Sequence, residues 1–196
     1  MASRQLIFEM IYKHDRWHGP ESRSGPGSTM GATVRLRKLL PGLIRGMHVG
    51  TVVDAGAGDS LWMPDLPAAY IGVDVVPAAI RAVEQAFPGR AYIIGDICSA
   101  PLPRADLVIL RDVLAHLSNN EALAALGNAR ASGATWLFAT TFDPADNAGD
   151  TRAGRYREYD LTRPPYSLGE PWWLIEDGFW EDDVVFPNKF FGAWTL

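Results

Sequence analysis

The chain has 196 residues, 47% of them hydrophobic and 21% charged, the composition of one globular domain long enough to bury a core without staples. One cysteine, Cys98, excludes an internal disulfide framework and points to a reducing compartment; no apolar run is long enough to span a bilayer, so a soluble, cytoplasmic protein is expected. The net charge of −5 is uneven: residues 1–48 hold eight Lys/Arg against three Asp/Glu, while the acidic remainder argues against tight nucleic-acid binding.

In chain order, "QLIFEMIYKHD" (5–15) reads as a short amphipathic helix. "ESRSGPGST" (21–29) follows. Its glycines, proline and serines break both helix and interior strand, which leaves a stiff loop with one arginine. Residues 32–46 place Leu36, Leu39, Leu40, Leu43 and Ile44 at helical spacing, and Pro41 is expected to bend or end that helix. From residue 50 strands and helices alternate. Strands are expected at 51–53, 69–73, 91–94, 106–110 and 134–139. Helices are expected at 77–87, with Pro77 in the first turn, and from a cap at Asn119 or Asn120 through Arg130. Strands separated by helices imply a parallel sheet, and strands apolar on both faces imply helices on both sides. Residues 143–171 read as a long irregular segment. The chain closes with two expected strands, Asp183 to Phe186 and Phe190 to Thr195, joined around Pro187-Asn188.

"VVDAGAGDS" (52–60) is the central motif. Gly56 and Gly58 form a turn after the first strand, where backbone can approach a ligand at the carboxyl end of a sheet. A dinucleotide fingerprint would put a third glycine at position 61; Leu61 stands there, and Asp54 precedes the turn. A pyrophosphate is repelled by such a carboxylate. Asp74 ends the second strand, where a carboxylate can take both ribose hydroxyls, and Asp96 ends the third, in reach of an adenine amine. Three strand-tipping acids outline a site for a ribose-bearing, non-phosphorylated, partly cationic ligand. S-adenosylmethionine fits; NAD fits poorly.

On "VVDAGAGDS", "YIGVDVVP", "GDI" and "DLVILRDVLAHLS", in that order and spacing, the chain resembles the class I S-adenosylmethionine-dependent methyltransferases. Over about Trp17 to Leu196 it is similar to a bacterial group of small methyltransferase-like chains with an "ESRSGPGS" signature; it departs from that group at Tyr156, Glu158 and Asp160. The resemblance implies an α/β fold: one Rossmann-like domain with a mostly parallel seven-stranded sheet, a C-terminal antiparallel hairpin, an N-terminal helical and loop lid (1–48), and a core (49–196) carrying an acceptor loop (141–171). It implies cofactor contacts from Trp17, Arg23, Ser24, Gly25, Asp54, Gly56, Gly58, Asp59, Trp62, Asp74, Val75, Asp96, Ile97 and Arg111, with S-adenosylhomocysteine as product.

Within that frame "ESRSGPGST" gains a task. Arg23 can clamp the cofactor carboxylate, and the free amides of Ser24, Gly25 and Gly27 can form an anion nest. Trp17 and Trp62 can close the site against water. Arg111 and Asp112 follow the fourth strand. His116 lies four residues past Asp112, so a helix starting there would pair them as a base, with Asp112 orienting the imidazole. Thr141, Arg155, Arg157, Tyr159 and Tyr166 are expected at the acceptor rim. The acidic loop "FDPADNAGD" (142–150) lacks calcium-loop spacing, and no metal is expected. The expected function is methyl transfer to an oxygen or nitrogen of a small molecule by a monomer or homodimer. The competing readings are a non-catalytic subunit of the same fold acting with a partner, an RNA methyltransferase using the basic N-terminal arm, and a nucleotide-dependent oxidoreductase.

Overall fold

The computed structural model describes residues 3–180, 183–184 and 186–196. Four α-helices are found among them: α1 Arg4–Lys13, α2 Val34–Gly46, α3 Pro77–Ala86 and α4 Asn119–Ala131. The strands are β1 Thr51–Ala55, β2 Ala69–Asp74, β3 Ala91–Ile94, β4 Leu107–Leu110, β5 Trp136–Phe142, β6 Trp173–Glu176, β7 Phe179–Trp180, β8 Asp183–Val184 and β9 Lys189–Thr195. Seven strands form one sheet in the order β3-β2-β1-β4-β5-β9-β6. The first five are parallel, and β9 runs antiparallel between β5 and β6.

Both sheet faces are covered, which is why the strands read as continuous apolar runs. On one face Leu36, Leu40 and Ile44 of α2 meet Val52, Leu107, Ile109, Phe138 and Phe191. On the other, Ala122, Ala125, Leu126 and Ala129 of α4 meet Val53, Val108, Leu110, Leu137 and Trp194. Each fully buried aliphatic or aromatic side chain there contributes about 1.5–3 kcal/mol of transfer free energy. The alternation along β1 follows directly: Val52 and Asp54 share the α2 face, while Val53 and Ala55 share the α4 face.

Local differences from expectation have clear causes. The α4 cap is Ser118, not an asparagine: its Oγ accepts from the Glu121 amide at 3.3 Å, and the Glu121 carboxylate accepts from the Ser118 amide at 2.9 Å. Ser-x-x-Glu is the signature of that reciprocal cap. Helix α2 runs through Pro41. The strand beside β9 in the main sheet is β6, not 183–186; Asp183–Val184 pairs instead with β7 in a separate two-stranded ribbon, and Val185 lies outside the described residues. No helix among the described residues is long and apolar enough to cross a membrane.

Candidate active site

The chain moves outward from β1 to β3, then returns to place β4 on the other side of β1. Loops leaving β1 and β4 therefore diverge at the carboxyl edge and open a crevice. A cleft lies there. It gathers Trp17, Ser24, Gly56, Gly58, Trp62, Asp74, Val75, Asp96, Ile97, Arg111, Asp112 and His116.

At one end the glycine turn is clamped by its neighbours. Gly56 (φ 94°) and Gly58 (φ 58°) both adopt left-handed backbone. A Cβ on Gly56 would come within 2.4 Å of Val113, and one on Gly58 within 2.2 Å of Ser24 Oγ. The Gly58 amide donates to Asp74 Oδ2 and the Val76 amide to Oδ1, each at 2.9 Å. Asp74 is buried, which raises its pKa, and these amides act against that shift. Each of its oxygens keeps a lone pair for a vicinal hydroxyl, so this end fits the ribose of S-adenosylmethionine. Asp96 sits farther along, but it is engaged by Arg4 at 2.8 Å and by the Cys98 amide at 3.0 Å. Burial pushes the Asp96 carboxyl up, yet the Arg4 and Cys98 hydrogen bonds win and hold it below the ordinary range. Burial also pushes the Cys98 thiol up to about 12, so it is no nucleophile near neutral pH.

The other end holds paired charges and a histidine. Arg111 Nε and Nη2 grip Asp177 at 3.0 and 2.9 Å, Nη2 also donates to the Gly27 carbonyl at 2.8 Å, and the guanidinium lies 4.9 Å over the Trp62 ring. Asp112 does not start a helix. Its backbone is left-handed (φ 57°) and a single 3₁₀ turn, Leu114–His116, follows. Its carboxylate accepts from Lys189 Nζ at 2.7 Å and from Thr140 Oγ1 at 3.2 Å. Burial works to raise the Asp112 pKa, but Lys189 and Arg111 overcome it and bring it to about 2. The expected Asp112–His116 orienting pair is therefore corrected: His116 Nδ1 lies 3.0 Å from the Arg155 carbonyl instead. The His116 ring stacks on Trp17, with centroids 4.8 Å apart at 31°. Burial lowers its pKa, partly offset by the Arg155 carbonyl.

Several expected site residues fall outside the cleft. Asp54 is buried on the α2 face and accepts from the Tyr70 hydroxyl at 2.9 Å. The exposed Arg23 turns its guanidinium to the Tyr12 carbonyl at 2.8 Å, so it is not the carboxylate clamp. Asp59 staples the loop, accepting from Ser22 Oγ at 2.7 Å and the Arg23 amide at 2.9 Å. Gly25 (φ 97°) packs against Trp17 without lining the cleft. The rim assignments also change. Thr141 is buried and accepts from the Leu161 amide at 3.0 Å, while Tyr159 and Tyr166 belong to the α4-side core. Arg157 lies over both of those rings and donates to the Tyr166 hydroxyl, and Arg155 contributes its carbonyl while its side chain points to solvent. In the acidic loop, Asp150 accepts from the Asn119 amide at 2.7 Å and Asn147 donates to the Asp160 carbonyl at 2.7 Å, so both act as structural ties. Arg4, Phe8 and Tyr12 line the cleft unforeseen; their spacing of four was the available signal.

Residues 53–130 match the family model of the methyltransferase domain. That segment spans β1 to α4 and holds the glycine turn, Asp74, Asp96, Arg111, Asp112 and His116. Among solved structures, magnesium protoporphyrin IX methyltransferase from Synechocystis PCC 6803 with bound S-adenosylmethionine is similar at 13% identity and a TM-score of 0.71, covering 100% of this chain and 98% of that one. The 1,6-didemethyltoxoflavin-N1-methyltransferase of Burkholderia thailandensis, with that compound and S-adenosylhomocysteine bound, is similar at 15% identity and a TM-score of 0.68, covering 100% and 91%. The N-methyltransferase NodS from Bradyrhizobium japonicum WM9 with S-adenosylhomocysteine gives 16% identity and 0.65, covering 99% and 98%. No curated protein is matched by sequence. The chain is an enzyme with the α/β Rossmann-like methyltransferase fold, and its residues 53–130 match a methyltransferase domain.

Proposed function

We propose that the chain methylates an oxygen or nitrogen of a small molecule, with His116 as the proton acceptor. The tautomer of His116 carries this reading. A backbone carbonyl can only accept, so the 3.0 Å contact with Arg155 places the hydrogen on Nδ1. In the neutral ring Nε2 is then a bare lone pair. Burial keeps the ring neutral, and Trp17 holds its plane. A hydroxyl loses its proton as it attacks, an ammonium must lose one before its nitrogen has a lone pair to attack with, and a fixed neutral imidazole in the same cleft can take either proton.

S-adenosylmethionine supplies an electrophilic methyl group on a sulfonium. The chain supplies position. Asp74 takes the ribose end and fixes how far the reacting end extends. Asp112, ionised at any working pH, orients an acceptor hydrogen without competing as a base. Alignment of the reacting atoms is worth much of the barrier. The small-molecule acceptors named for the Synechocystis and Burkholderia neighbours support a small acceptor here.

The test is methyl transfer from labelled S-adenosylmethionine across a panel of phenols, amines and N-heterocycles, with His116→Gln beside wild type. The variant is expected to lose about 10²–10⁴-fold in kcat while binding S-adenosylhomocysteine within twofold of wild type. Because the His116 pKa lies below its ordinary value, wild-type kcat should be flat above about pH 6.5 and fall only on the acid side. Undiminished turnover by His116→Gln would refute the base assignment.

A further inference from the structure

One wall of the cleft comes from outside the matched segment. Arg4, Phe8 and Tyr12 of α1 recur every fourth residue, share one helix face and all line the cleft. That face is tied at both ends. Tyr12 Oη and Ser24 Oγ are 2.6 Å apart at one end. At the other, Arg4 Nε lies 3.1 and 3.0 Å from the two Asp96 oxygens, Nη2 lies 2.8 Å from Oδ2, and Nη1 bonds Glu121.

Those bonds change what the purine end offers. The Asp96 carboxylate also accepts from the Cys98 amide, so most of its in-plane lone pairs are spent before an adenine amine arrives. The guanidinium edge is engaged as well, with Nε and Nη2 against Asp96 and Nη1 against Glu121. What Arg4 keeps is mainly its flat face. A delocalised, weakly hydrated plane braced by two acids is suited to stacking on an aromatic ring. Phe8, one turn further along the same face, supplies apolar surface beside it.

We infer that Arg4 is an adenine-binding residue, its guanidinium plane braced by Asp96 and Glu121 and stacked on the purine. The inference rests on the S-adenosylmethionine reading of the cleft. Asp96 then acts on the adenine through Arg4, and α1 closes the purine end.

Titration calorimetry with S-adenosylhomocysteine and with adenosine tests it on wild type, Arg4→Met and Arg4→Lys. Lysine keeps the charge and removes the plane. Both variants are expected to bind both probes at least fivefold more weakly. Arg4→Lys at wild-type affinity, or Arg4→Met binding either probe more tightly, overturns the inference. A second measurement needs no variant: in arginine-labelled wild type, adenosine should move the Arg4 Hε resonance by ring current, and an unmoved resonance at saturation overturns it equally. Wild type that binds neither probe instead removes the cofactor reading itself.

Discussion

Asp54 shows how one residue can be visible in a motif and misplaced by it. It precedes the glycine turn, yet its side chain lies on the α2 face beneath the cleft, with the Tyr70 hydroxyl on it at 2.9 Å and Ser60 Oγ 3.2 Å beyond. Burial is the main influence and pushes its pKa up from 3.8 to about 7. The folded carboxyl thus keeps a proton that the unfolded chain releases above about pH 4. Stability from this group is full below that pH, falls as pH rises, and is lost once pH passes 7. The three-unit gap corresponds to roughly 4 kcal/mol at most. Asn at this position keeps an acceptor for Tyr70 and cannot ionise. Asp54→Asn should therefore gain melting temperature relative to wild type as pH rises from 5 to 8. A pH-independent offset in thermal melts would show that Asp54 does not titrate in this range.

At the scale of elements, the loop "ESRSGPGST" and the glycine turn behave as one unit. Asp59, within the turn, holds Ser22 and Arg23; its own amide donates to Ser24 Oγ at 3.0 Å. Asp59→Ala removes three hydrogen bonds to a carboxylate, and the two that come from the loop are worth about 2 kcal/mol or more to its ordering. Trypsin should then cut after Arg23 at least tenfold faster, and S-adenosylhomocysteine should dissociate faster in stopped flow. Unchanged cleavage would mean that the loop is held elsewhere. The same elements show what the sequence could reveal. Strands β1, β4 and β5 were legible because burial on both faces leaves uninterrupted apolar runs, whereas β3, exposed at the sheet edge, was legible from the short run Ala91–Ile94 alone. Strand β6 was not, because an edge strand alternates: Trp173 and Ile175 are half-buried, Leu174 and Glu176 exposed. The acids Asp74 and Asp96 were legible because strand ends are fixed by local pattern. Arg4 and Lys189 were not, because they meet Asp96 and Asp112 across 92 and 77 residues, which no local period encodes.

Across the whole molecule, four buried or half-buried charges meet where strands β4, β6 and β9 of one sheet end or begin. Arg111 follows β4, Asp112 is its neighbour, Asp177 follows β6, and Lys189 begins β9. Lys189 Nζ bonds Asp112 at 2.7 Å and Asp177 at 3.2 Å, while Arg111 spans Asp177 and the Gly27 carbonyl of the N-terminal loop. The quartet is neutral, so no uncompensated charge is buried. Desolvating each ion still costs several kcal/mol, and an apolar cluster of equal volume would be no less stable. What the ions add is directionality: they fix the Asp112 carboxylate in a left-handed backbone at the His116 end of the cleft and dock the loop beside it. Removing one member breaks the balance. Lys189→Met leaves two carboxylates against one guanidinium and should cost about 3–5 kcal/mol in denaturant unfolding. Adding Asp112→Asn restores neutrality, so the double variant should be more stable than Lys189→Met alone, with a coupling energy of about 1–3 kcal/mol. Strictly additive losses would mean that Lys189 and Asp112 are neighbours without being partners, and the quartet would then be two independent pairs. A coupled pair predicts a second result. The double variant, folded but without a fixed carboxylate, should bind S-adenosylhomocysteine normally and still fail to transfer a methyl group.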